Sequence, residues 1–415
     1  MASLSTTDPH SIPLSEIDVS DTELWVTDTH WDYFARLRRE DPVHFCAQSA
    51  FGPYWSVTKF DDIVAVEKNT EVFSSEPNIT ITDPRPHALA QNSGFISMDD
   101  PRHGAHRKAV QPVSSPRNLR TFEPLVRERV CGILDSIPVG ETFDWVDLVS
   151  IELTTGMLAT MFDFPWEERR KLTFWSDMAT TLTREQLEDR GLTVADRDAA
   201  LLDCLQTFTR LRAEREGRMT ASLDFVTAIA NSTAMQDLDP VTFLGTIGLL
   251  IVGGNDTTRN SISGGVLALN ENPAEYDKLR ADPGLIPKMV DEIIRWQTPL
   301  AHMRRTVTRD TELGGKKIAK GEKVILWYVS ANRDETVIER PDEFRIDRED
   351  SKKYLSFGWG VHFCMGSRIA ELQLCVLWEE ILKRFRTVEV VGEPVRVRSN
   401  FVKGFSALPT RVHSW

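Results

Sequence analysis

A glycine-punctuated loop presents one cysteine in the segment Phe357-Gly-Trp-Gly-Val-His-Phe-Cys-Met-Gly366. Its internal glycines permit tight backbone conformations that a Cβ would block. The stretch from Gly366 to Phe385 has the apolar periodicity of a helix. Cys364 therefore precedes a helix N-terminus, where the macrodipole and free N–H groups stabilise a thiolate. Such a thiolate can bind a soft or redox-active metal centre, although a lone cysteine is more often buried and inert.

A second group of reactive residue types lies inside a helix predicted over about 240–270, where Gly253 and Gly254 precede Asp256 and Thr257. Two adjacent glycines in a helix cost roughly 1 kcal/mol each relative to alanine, so a compensating role is expected. One role is close packing between helices. The other is the approach of a flat ligand, with the threonine hydroxyl opening the helix to water and the acid–alcohol pair delivering protons.

Glu292 and Arg295 form a third motif, in a helix predicted to begin near Pro287 and to end before Pro299. Residues three apart meet on one helical face. If the pair is exposed, it contributes only a few tenths of a kcal/mol. If it is buried, it can brace a neighbouring loop, and the spacing alone does not choose between these two interpretations.

The cysteine segment resembles the haem-binding loop of the cytochrome P450 superfamily at every fixed position of the pattern F-G-x-G-x-H-x-C-x-G. The double-glycine and Glu-x-x-Arg motifs precede this segment in the order and spacing of that superfamily. The resemblance implies haem b with Cys364 as the thiolate ligand of its iron. It also implies Asp256 and Thr257 as the proton-delivery pair, and Glu292 and Arg295 as a buried pair behind the loop. The further cofactor-binding residues that it implies are His103, Arg107, Arg305, Phe357, Gly358, His362 and Gly366.

One position departs from the family's ion-pair network, which often includes an Arg or His just before the Phe of a P-x-x-F segment. Here Glu343 precedes Phe344. Arg345 and Arg348 are nearby cations that could complete the network, and the sequence does not choose between them.

Two stretches, 253–260 and 295–305, are similar to those of the bacterial alkane terminal-hydroxylase P450s. The resemblance implies oxidation at the terminal methyl of n-alkanes, fatty acids or similar linear chains. Because a terminal C–H bond is stronger than its neighbour, a narrow apolar tunnel must aim the chain end at the iron. Candidate wall residues, each of which could instead be ordinary core, are Leu249, Val252, Gly253, Leu300, Ala301, Phe401, Val402 and Phe405, together with Ile79, Ile81, Leu89, Phe95 and Ile96 from a long irregular loop over 77–98.

Electron donors are expected to be separate proteins, because no G-x-G-x-x-G fingerprint of a flavin or nicotinamide site follows a predicted strand. A ferredoxin with its ferredoxin reductase is the expected source, and O₂ is the co-substrate. Two alternatives remain. The first is the same chemistry on a terpenoid or steroid side chain. The second is a non-catalytic haem-thiolate sensor or carrier, which the Asp256–Thr257 pair disfavours because a carrier needs no proton relay.

Composition indicates a globular protein, with 41% hydrophobic and 27% charged residues. The formal net charge of −13 argues against a general nucleic-acid binder. The N-terminal residues lack the apolar segment of a signal peptide, and the longest apolar run, 241–252, is too short to span a bilayer. We therefore expect a soluble cytoplasmic protein without an integral membrane anchor. The cysteines show no paired spacing, which fits a reducing compartment; they are Cys46, Cys131, Cys204, Cys364 and Cys375.

The pattern of elements predicts a mainly α protein with small β-sheets. Portions near 40–60 and 300–415 are β-rich, and the portion over about 100–300 is helical. No repeat or long linker divides the chain, so one domain over 1–415 is expected. The resemblance implies the cytochrome P450 fold, with haem between the long central helix and the helix that follows the cysteine loop.

Overall fold

Helices make up most of the chain between residues 102 and 297. The computed structural model describes residues 4–84, 94–218 and 223–415. Its α-helices are, in chain order, α1 Glu23–Val26, α2 His30–Glu40, α3 Phe60–Lys68, α4 Arg102–Val110, α5 Pro116–Ser136, α6 Glu152–Met161, α7 Arg170–Thr180, α8 Arg184–Glu188, α9 Val194–Arg215, α10 Phe225–Ala230, α11 Pro240–Glu271, α12 Pro273–Ala281, α13 Ile286–Gln297, α14 Tyr328–Ala331 and α15 Ser367–Arg384.

Short strands form small sheets beside the helices. The strands are β1 Val43–Cys46, β2 Tyr54–Val57, β3 Phe73–Ser74, β4 Thr142–Asp144, β5 Met303–Val307, β6 Thr311–Leu313, β7 Lys316–Ile318, β8 Lys323–Leu326, β9 Phe385–Val390, β10 Val395–Arg396, β11 Phe405–Ala407 and β12 Pro409–Ser414. The five-stranded sheet has the order β1-β2-β8-β5-β3, and a three-stranded sheet has the order β4-β12-β9. Two further pairs, β6-β7 and β10-β11, are two-stranded.

Helix α11 is the central element, and most of its residues from 255 onward are buried. It begins at an Asp239 cap whose carboxylate accepts hydrogen bonds from the N–H groups of Val241 and Thr242, with Pro240 at the first helical position. It ends at Asn272, directly before the proline that starts α12. This capped helix carries the Gly-Gly and Asp-Thr motif through the middle of the molecule.

After α13 the chain changes direction and enters the five-stranded sheet. Thr298 adopts a left-handed conformation with φ 39° as the helix C-cap, and Pro299 prevents further helix. The chain then enters β5, where Arg305 pairs with Val324 of β8. Because side chains alternate along a strand, Met303 and Arg305 share one face. The strand thereby presents one apolar and one cationic side chain to the same side.

The cysteine loop is closed before α15 begins. The Cys364 N–H donates to the Phe357 carbonyl over 2.8 Å. Gly358 and Gly360 have φ of 68° and 65°, in the left-handed region that favours glycine. A Cβ at Gly360 would also lie 3.0 Å from the Glu67 carbonyl oxygen. The glycine spacing is thus required by the turn and by its close approach to α3.

The predicted fold class is confirmed: the chain is mainly helical with small sheets. The long helix predicted over about 240–270 is α11, and the helix predicted after the cysteine is α15. In the irregular loop over 77–98, Phe95–Ser97 forms one 3₁₀ turn, while Leu89 lies outside the described residues. Within the described ranges, no helix is long and apolar enough to cross a membrane. The single domain stays a prediction.

Candidate active site

A cavity of about 200 Å³ lies between α11 and α15. Of the five cysteines, Cys364 is the one on its wall. Strand β5 contributes Met303 and Arg305, and α4 contributes Arg107. The residues of α11 on the wall are Leu249, Leu250, Gly253, Gly254, Thr257, Thr258 and Ser261. The cavity therefore brings a thiol, a helix hydroxyl and two guanidinium groups around one space.

The environment of Cys364 suits metal ligation. Burial raises the pKa of the Cys364 thiol, and the backbone N–H groups of Gly366 and Ser367 and the charge of Arg107 offset this only in part. The helix N-terminus that the sequence indicated is therefore present but does not overcome desolvation. A bound cation such as iron would supply the missing stabilisation of the thiolate.

Two arginines meet the cavity near the cysteine loop. Arg107 donates to the Phe363 carbonyl over 2.6 Å, and Arg305 lies on the same cavity wall. None of the described residues that line this cavity is an Asp or a Glu, although the chain as a whole carries a formal charge of −13. Haem carries two propionates that need cationic partners. The donor set at this site therefore fits the cofactor that the sequence implies.

Arg305 is held by a buried acid from α3. Its Nη2 lies 3.4 Å from Glu67 Oε1, which also accepts a 2.5 Å hydrogen bond from the Tyr328 hydroxyl. Burial raises the pKa of Glu67, and the Arg305 charge and the Tyr328 hydrogen bond oppose that effect. The second oxygen of Glu67 has no hydrogen-bond partner among the described residues. This arrangement fixes the guanidinium of Arg305 from behind.

The two predicted histidines pack against each other at an interplanar angle of 46°, with ring centroids 4.1 Å apart. His362 lines the cavity and its Nε2 lies 2.9 Å from the Ser75 hydroxyl, whereas His103 lies behind it and does not line the cavity. Burial and the nearby Arg305 charge lower the pKa of His362 to about 2, so its ring is neutral. Both His362 Nδ1 and His103 Nε2 are buried without a hydrogen-bond partner in the described part of the chain. Buried polar atoms of this kind normally have a partner.

Glu292 and Arg295 form a fully buried pair. The guanidinium donates to both carboxylate oxygens over 2.8 Å. Burial alone raises the pKa of Glu292, but the Arg295 hydrogen bond and the charges of Arg295 and Arg348 hold it below its usual range. The interpretation as an exposed pair is therefore excluded by this burial.

Arg348 completes the ion-pair network that the sequence left open. Its Nε donates to both oxygens of Glu292, over 3.1 and 3.0 Å. Arg345 contacts Glu292 only through its backbone N–H, over 2.8 Å. A side chain at 345 is therefore unnecessary for the network, whereas the side chain at 348 is essential to it.

The network reaches the cysteine loop through Asn332. Its carbonyl oxygen accepts from Arg295 over 2.7 Å, and its side-chain amide donates to Ser356 and accepts from the Leu355 N–H. The Ser356 hydroxyl in turn donates to the Ile294 carbonyl over 2.7 Å. The loop that carries Cys364 is thus hydrogen-bonded at its start to the buried ion pair.

The two glycines of α11 have different neighbours. A Cβ on Gly254 would lie 2.7 Å from Leu158 Cδ2 of α6, whereas a Cβ on Gly253 would meet nothing within 4 Å. Gly254 therefore lies in close contact with the Leu158 side chain, and Gly253 leaves open space on the cavity wall. Thr257 Oγ1 donates to the Gly253 carbonyl over 2.8 Å, the back-bond that can open a helix.

Asp256 does not line the cavity. Its carboxylate accepts from Arg259 and Asn255 over 2.9 Å each, and Arg259 also bonds Asp177 of α7. Burial, together with the nearby Asp177 charge, raises the pKa of Asp256 against the effect of Arg259. Its predicted role in proton delivery stays a prediction, now with a carboxylate that faces α7 rather than the Thr257 hydroxyl.

The predicted substrate wall divides into two layers. Four side chains from separate elements, which we call the apolar wall, line the cavity: Phe95, Leu249, Leu300 and Met303. Gly253 and Ile96 also line it. The remaining candidates are not on this surface. Ile79, Phe401 and Val402 form a cluster behind Leu300 and Met303. Ile81 and Ala301 belong to the core around Trp327, Val252 lies on another side of α11, and Phe405 packs in the main core.

Some lining residues were not predicted, namely Met157 and Met161 of α6, Phe225 and Met303. The strand period of two could have identified Met303, because it shares a face with Arg305. Likewise, Leu249, Gly253, Thr257 and Ser261 follow an i, i+4 row on α11, whereas Val252 and Asp256 belong to the neighbouring row. Nothing in the sequence marks the methionines of α6.

Known proteins are similar in sequence to most of this chain. The chain is 34% identical over 412 residues to linalool 8-monooxygenase of Pseudomonas putida, covering 94% of this chain and 97% of that protein. The family model described as Cytochrome P450 matches residues 284–411. The chain belongs to the cytochrome P450 family. It is therefore a haem-thiolate monooxygenase, and the P450 fold and haem cofactor predicted from the sequence are confirmed.

Two further similarities concern the whole P450 chain. It is 32% identical over 418 residues to methyl-branched lipid omega-hydroxylase of Mycobacterium bovis, covering 97% of this chain and 96% of that protein. The solved structure of cytochrome P450-153 from Novosphingobium aromaticivorans superposes with a TM-score of 0.89 at 46% identity. That match covers 95% of this chain and 99% of the other.

Proposed function

We propose that this P450 oxidises the terminal methyl group of linear alkanes or fatty acids. The observation that carries the proposal is the apolar wall, in which Phe95, Leu249, Leu300 and Met303 come from separate parts of the chain and line the same cavity as Cys364. Each methylene buried against such a wall contributes about 0.8 kcal/mol. The summed contribution of its methylenes can therefore bind a linear chain, and the wall can direct its end to the reacting centre.

Haem, held by Cys364 with Arg107 and Arg305 at its propionates, would supply the activation of dioxygen. The protein supplies position and protons. Thr257, on the cavity wall beside the open space at Gly253, is the hydroxyl that can hold water and pass a proton. Asp256 would act one step behind it, through the buried carboxylate that Arg259 and Thr180 now hold.

The relatives support lipid-like substrates. One is named for omega-hydroxylation of a methyl-branched lipid and another for oxidation of linalool at carbon 8. The resemblance of stretches 253–260 and 295–305 to alkane terminal hydroxylases favours a linear chain over a terpenoid. The terpenoid side chain is the second candidate, because the linalool enzyme covers nearly the whole P450 chain.

The electron donor is proposed to be a ferredoxin with its reductase, in the cytoplasm. Trp359, Val361 and Phe363 of the cysteine loop are 40%, 42% and 44% exposed. An exposed apolar patch beside the ligand loop suits transient docking of a small protein. Reduction by purified ferredoxin should therefore be weakened in Phe363→Ser and unchanged in Phe174→Ser, which is 44% exposed on α7.

The proposed substrate class is tested by product analysis. The holoenzyme, reconstituted with ferredoxin, reductase and NADH, is given an n-alkane, the fatty acid of matching length and linalool. Terminal alcohols from the linear chains are the expected products by gas chromatography. Mainly subterminal products, or turnover of linalool without turnover of linear chains, would contradict the proposal.

A further inference from the structure

A second cavity, of about 80 Å³, lies between the C-terminal part of α11, the end of α13 and the segment over 396–405. Three indole rings form part of its wall. We call it the tryptophan cavity and define it by Trp25, Trp31, Trp296, Arg333, Arg396 and Lys403. None of these residues lines the cavity that holds Cys364.

The charges that line the tryptophan cavity are not balanced. Three cations, Arg333, Arg396 and Lys403, face two carboxylates, Asp28 and Glu271. Arg396 donates to Asp28 over 2.7 Å, so that pair is neutral as a unit. Glu271 is exposed. Among the lining residues, Arg333 and Lys403 are therefore the cations that form no ion pair with another lining residue.

Arg333 is only 6% exposed. Its guanidinium lies 3.5 Å from the ring centroid of Trp296 and 4.4 Å from that of Trp31. Its Nη1 contacts Asp342 over 3.3 Å, but the Asp342 side chain is 76% exposed. Its Nε is buried without a hydrogen-bond partner in the described chain. A buried donor without a partner is costly and points to an acceptor that the site can bind.

Lys403 is the second open donor. Its ammonium lies 5.2 Å from the ring centroid of Trp31, and no hydrogen bond or ion pair joins it to another described residue. Burial, together with the charges of Arg333 and Arg396, lowers the pKa of Lys403 to about 8 against the opposite effect of Asp28. An anion beside this ammonium would remove that penalty.

We propose that the tryptophan cavity binds a small aromatic carboxylate. A planar carboxylate can accept hydrogen bonds from Lys403 and Arg333, and its ring can pack against the parts of the Trp25, Trp31 and Trp296 indoles that line the cavity. The cavity supplies a concave wall in which indole rings stand beside several convergent polar groups.

Binding there is coupled to the substrate wall through the backbone of Lys403. The Lys403 N–H donates to the Pro299 carbonyl over 2.8 Å, and Gln297 Nε2 donates to the Lys403 carbonyl over 3.0 Å. Pro299 and Leu300 line the active-site cavity, and Leu300 bridges Val402. A ligand that holds Lys403 therefore holds the segment that carries Leu300. Each ligand must then change the affinity of the other by the same factor.

Calorimetry on the ferric holoenzyme tests the site, with benzoate as the probe and imidazole saturating the haem so that benzoate cannot bind the iron. We expect benzoate to bind at least about tenfold more tightly than the neutral analogue benzyl alcohol and than inorganic phosphate. Equal affinities for benzoate and either of these probes, or no binding of benzoate at about 10 mM, would overturn the proposal.

Variants of the lysine locate the site. Lys403→Met should weaken benzoate binding about tenfold or more, while Lys403→Arg and the exposed control Lys320→Met should stay within about threefold of the parent. If Lys403→Met does not fold, two other measurements decide whether benzoate binds in the tryptophan cavity: the affinity of the arginine variant, and the comparison of benzoate with benzyl alcohol in the parent protein. Benzoate binding by Lys403→Met at parental affinity would place the ligand elsewhere.

The coupling is measured separately. The apparent affinity of imidazole for the haem should shift about twofold or more when benzoate is present. The same titration of Lys403→Met should show no shift. An unchanged affinity in the parent protein at saturating benzoate would overturn the coupling between the two cavities.

Discussion

The cysteine loop and the apolar wall face the same cavity but are held in place by different forces. Behind the loop, Glu292, Arg295 and Arg348 form a buried ionic network that continues through Asn332 to residues 355 and 356. The apolar wall is held by packing instead: Leu300 and Met303 pack against a second apolar layer that contains Phe401 and Val402, and Leu249 packs against the main core. Specific bonds fix the cysteine loop, whereas packing shapes the apolar wall.

This difference matters because the two kinds of interaction fail differently. Removal of one partner from a buried ion pair leaves an uncompensated charge and costs about 3–5 kcal/mol. Removal of part of an apolar side chain leaves no unpaired charge and enlarges the space that remains. Changes behind the cysteine loop should therefore destroy the haem protein, while changes in the apolar wall should alter its products.

The largest effect is expected from Arg348→Ala, which removes a side chain that donates to both oxygens of Glu292. We expect a loss of about 3 kcal/mol or more in stability and poor retention of haem. Arg345→Ala is the matched control, because position 345 bonds Glu292 through its backbone alone. Urea unfolding and the ratio of haem to protein measure both variants. Equal losses in the two would show that the network is not what holds the loop.

A smaller effect on turnover is expected from Thr257→Ala. The variant should bind substrate and consume NADH. The share of reducing equivalents that forms peroxide should rise about tenfold or more, because proton delivery is lost. Thr257→Ser retains the hydroxyl that bonds the Gly253 carbonyl and should restore coupling. Parallel assays of product, NADH and peroxide decide the matter, and tight coupling in the alanine variant would exclude the hydroxyl from the mechanism.

Product position should change when the apolar wall is enlarged. Leu249→Ala should move oxidation inward along a linear chain by severalfold more than it slows turnover, since a methylene-sized gap changes selectivity by about 1–3 kcal/mol. Val252→Ala, three residues later but off the cavity, is the control. Gas chromatography of the alcohols gives the ratio. The same ratio from both variants would mean that Leu249 does not set the position of the chain.

The smallest effect concerns pH. Because the pKa of Glu292 is held below its usual value in the folded protein, its contribution to stability is present above that usual value and is lost as pH falls through the lower, folded value. Stability of the parent protein should therefore fall more steeply than that of Glu292→Gln once the pH drops below the usual value of 4.5. Urea unfolding from about pH 6 to about pH 3 makes the comparison, and parallel curves below the usual value would contradict it.

The sequence predicted the elements whose function depends on local pattern. The glycine loop before α15, the long helix α11 and the Glu292–Arg295 spacing are all short-range features, and the helices lie where they were predicted. The choice of Arg348 over Arg345 was not predictable, because it depends on which of two neighbouring residues points its side chain at a carboxylate 56 positions earlier along the chain. Likewise, Phe401 and Val402 are apolar enough to form a wall, but Leu300 and Met303 lie in front of them.

The position of Asp256 shows the same limit within a single helix. Its type and its neighbour Thr257 predicted a shared task, yet successive residues on a helix point about 100° apart. Thr257 joins the row of Leu249 and Gly253 on the cavity, and Asp256 meets Arg259 and α7. A helical projection could have separated the two rows, but not the partner on α7.

The most direct test of the account is the spectrum of the reduced carbonyl complex in Cys364→Ala, with Cys375→Ala on α15 as the matched control. Cys364 lines the cavity beside Arg107 and Arg305, whereas Cys375 does not line it. We predict that the thiolate-type spectrum is lost in Cys364→Ala and kept in Cys375→Ala. A thiolate-type spectrum that survives in Cys364→Ala with haem still bound would contradict the assignment of the iron ligand.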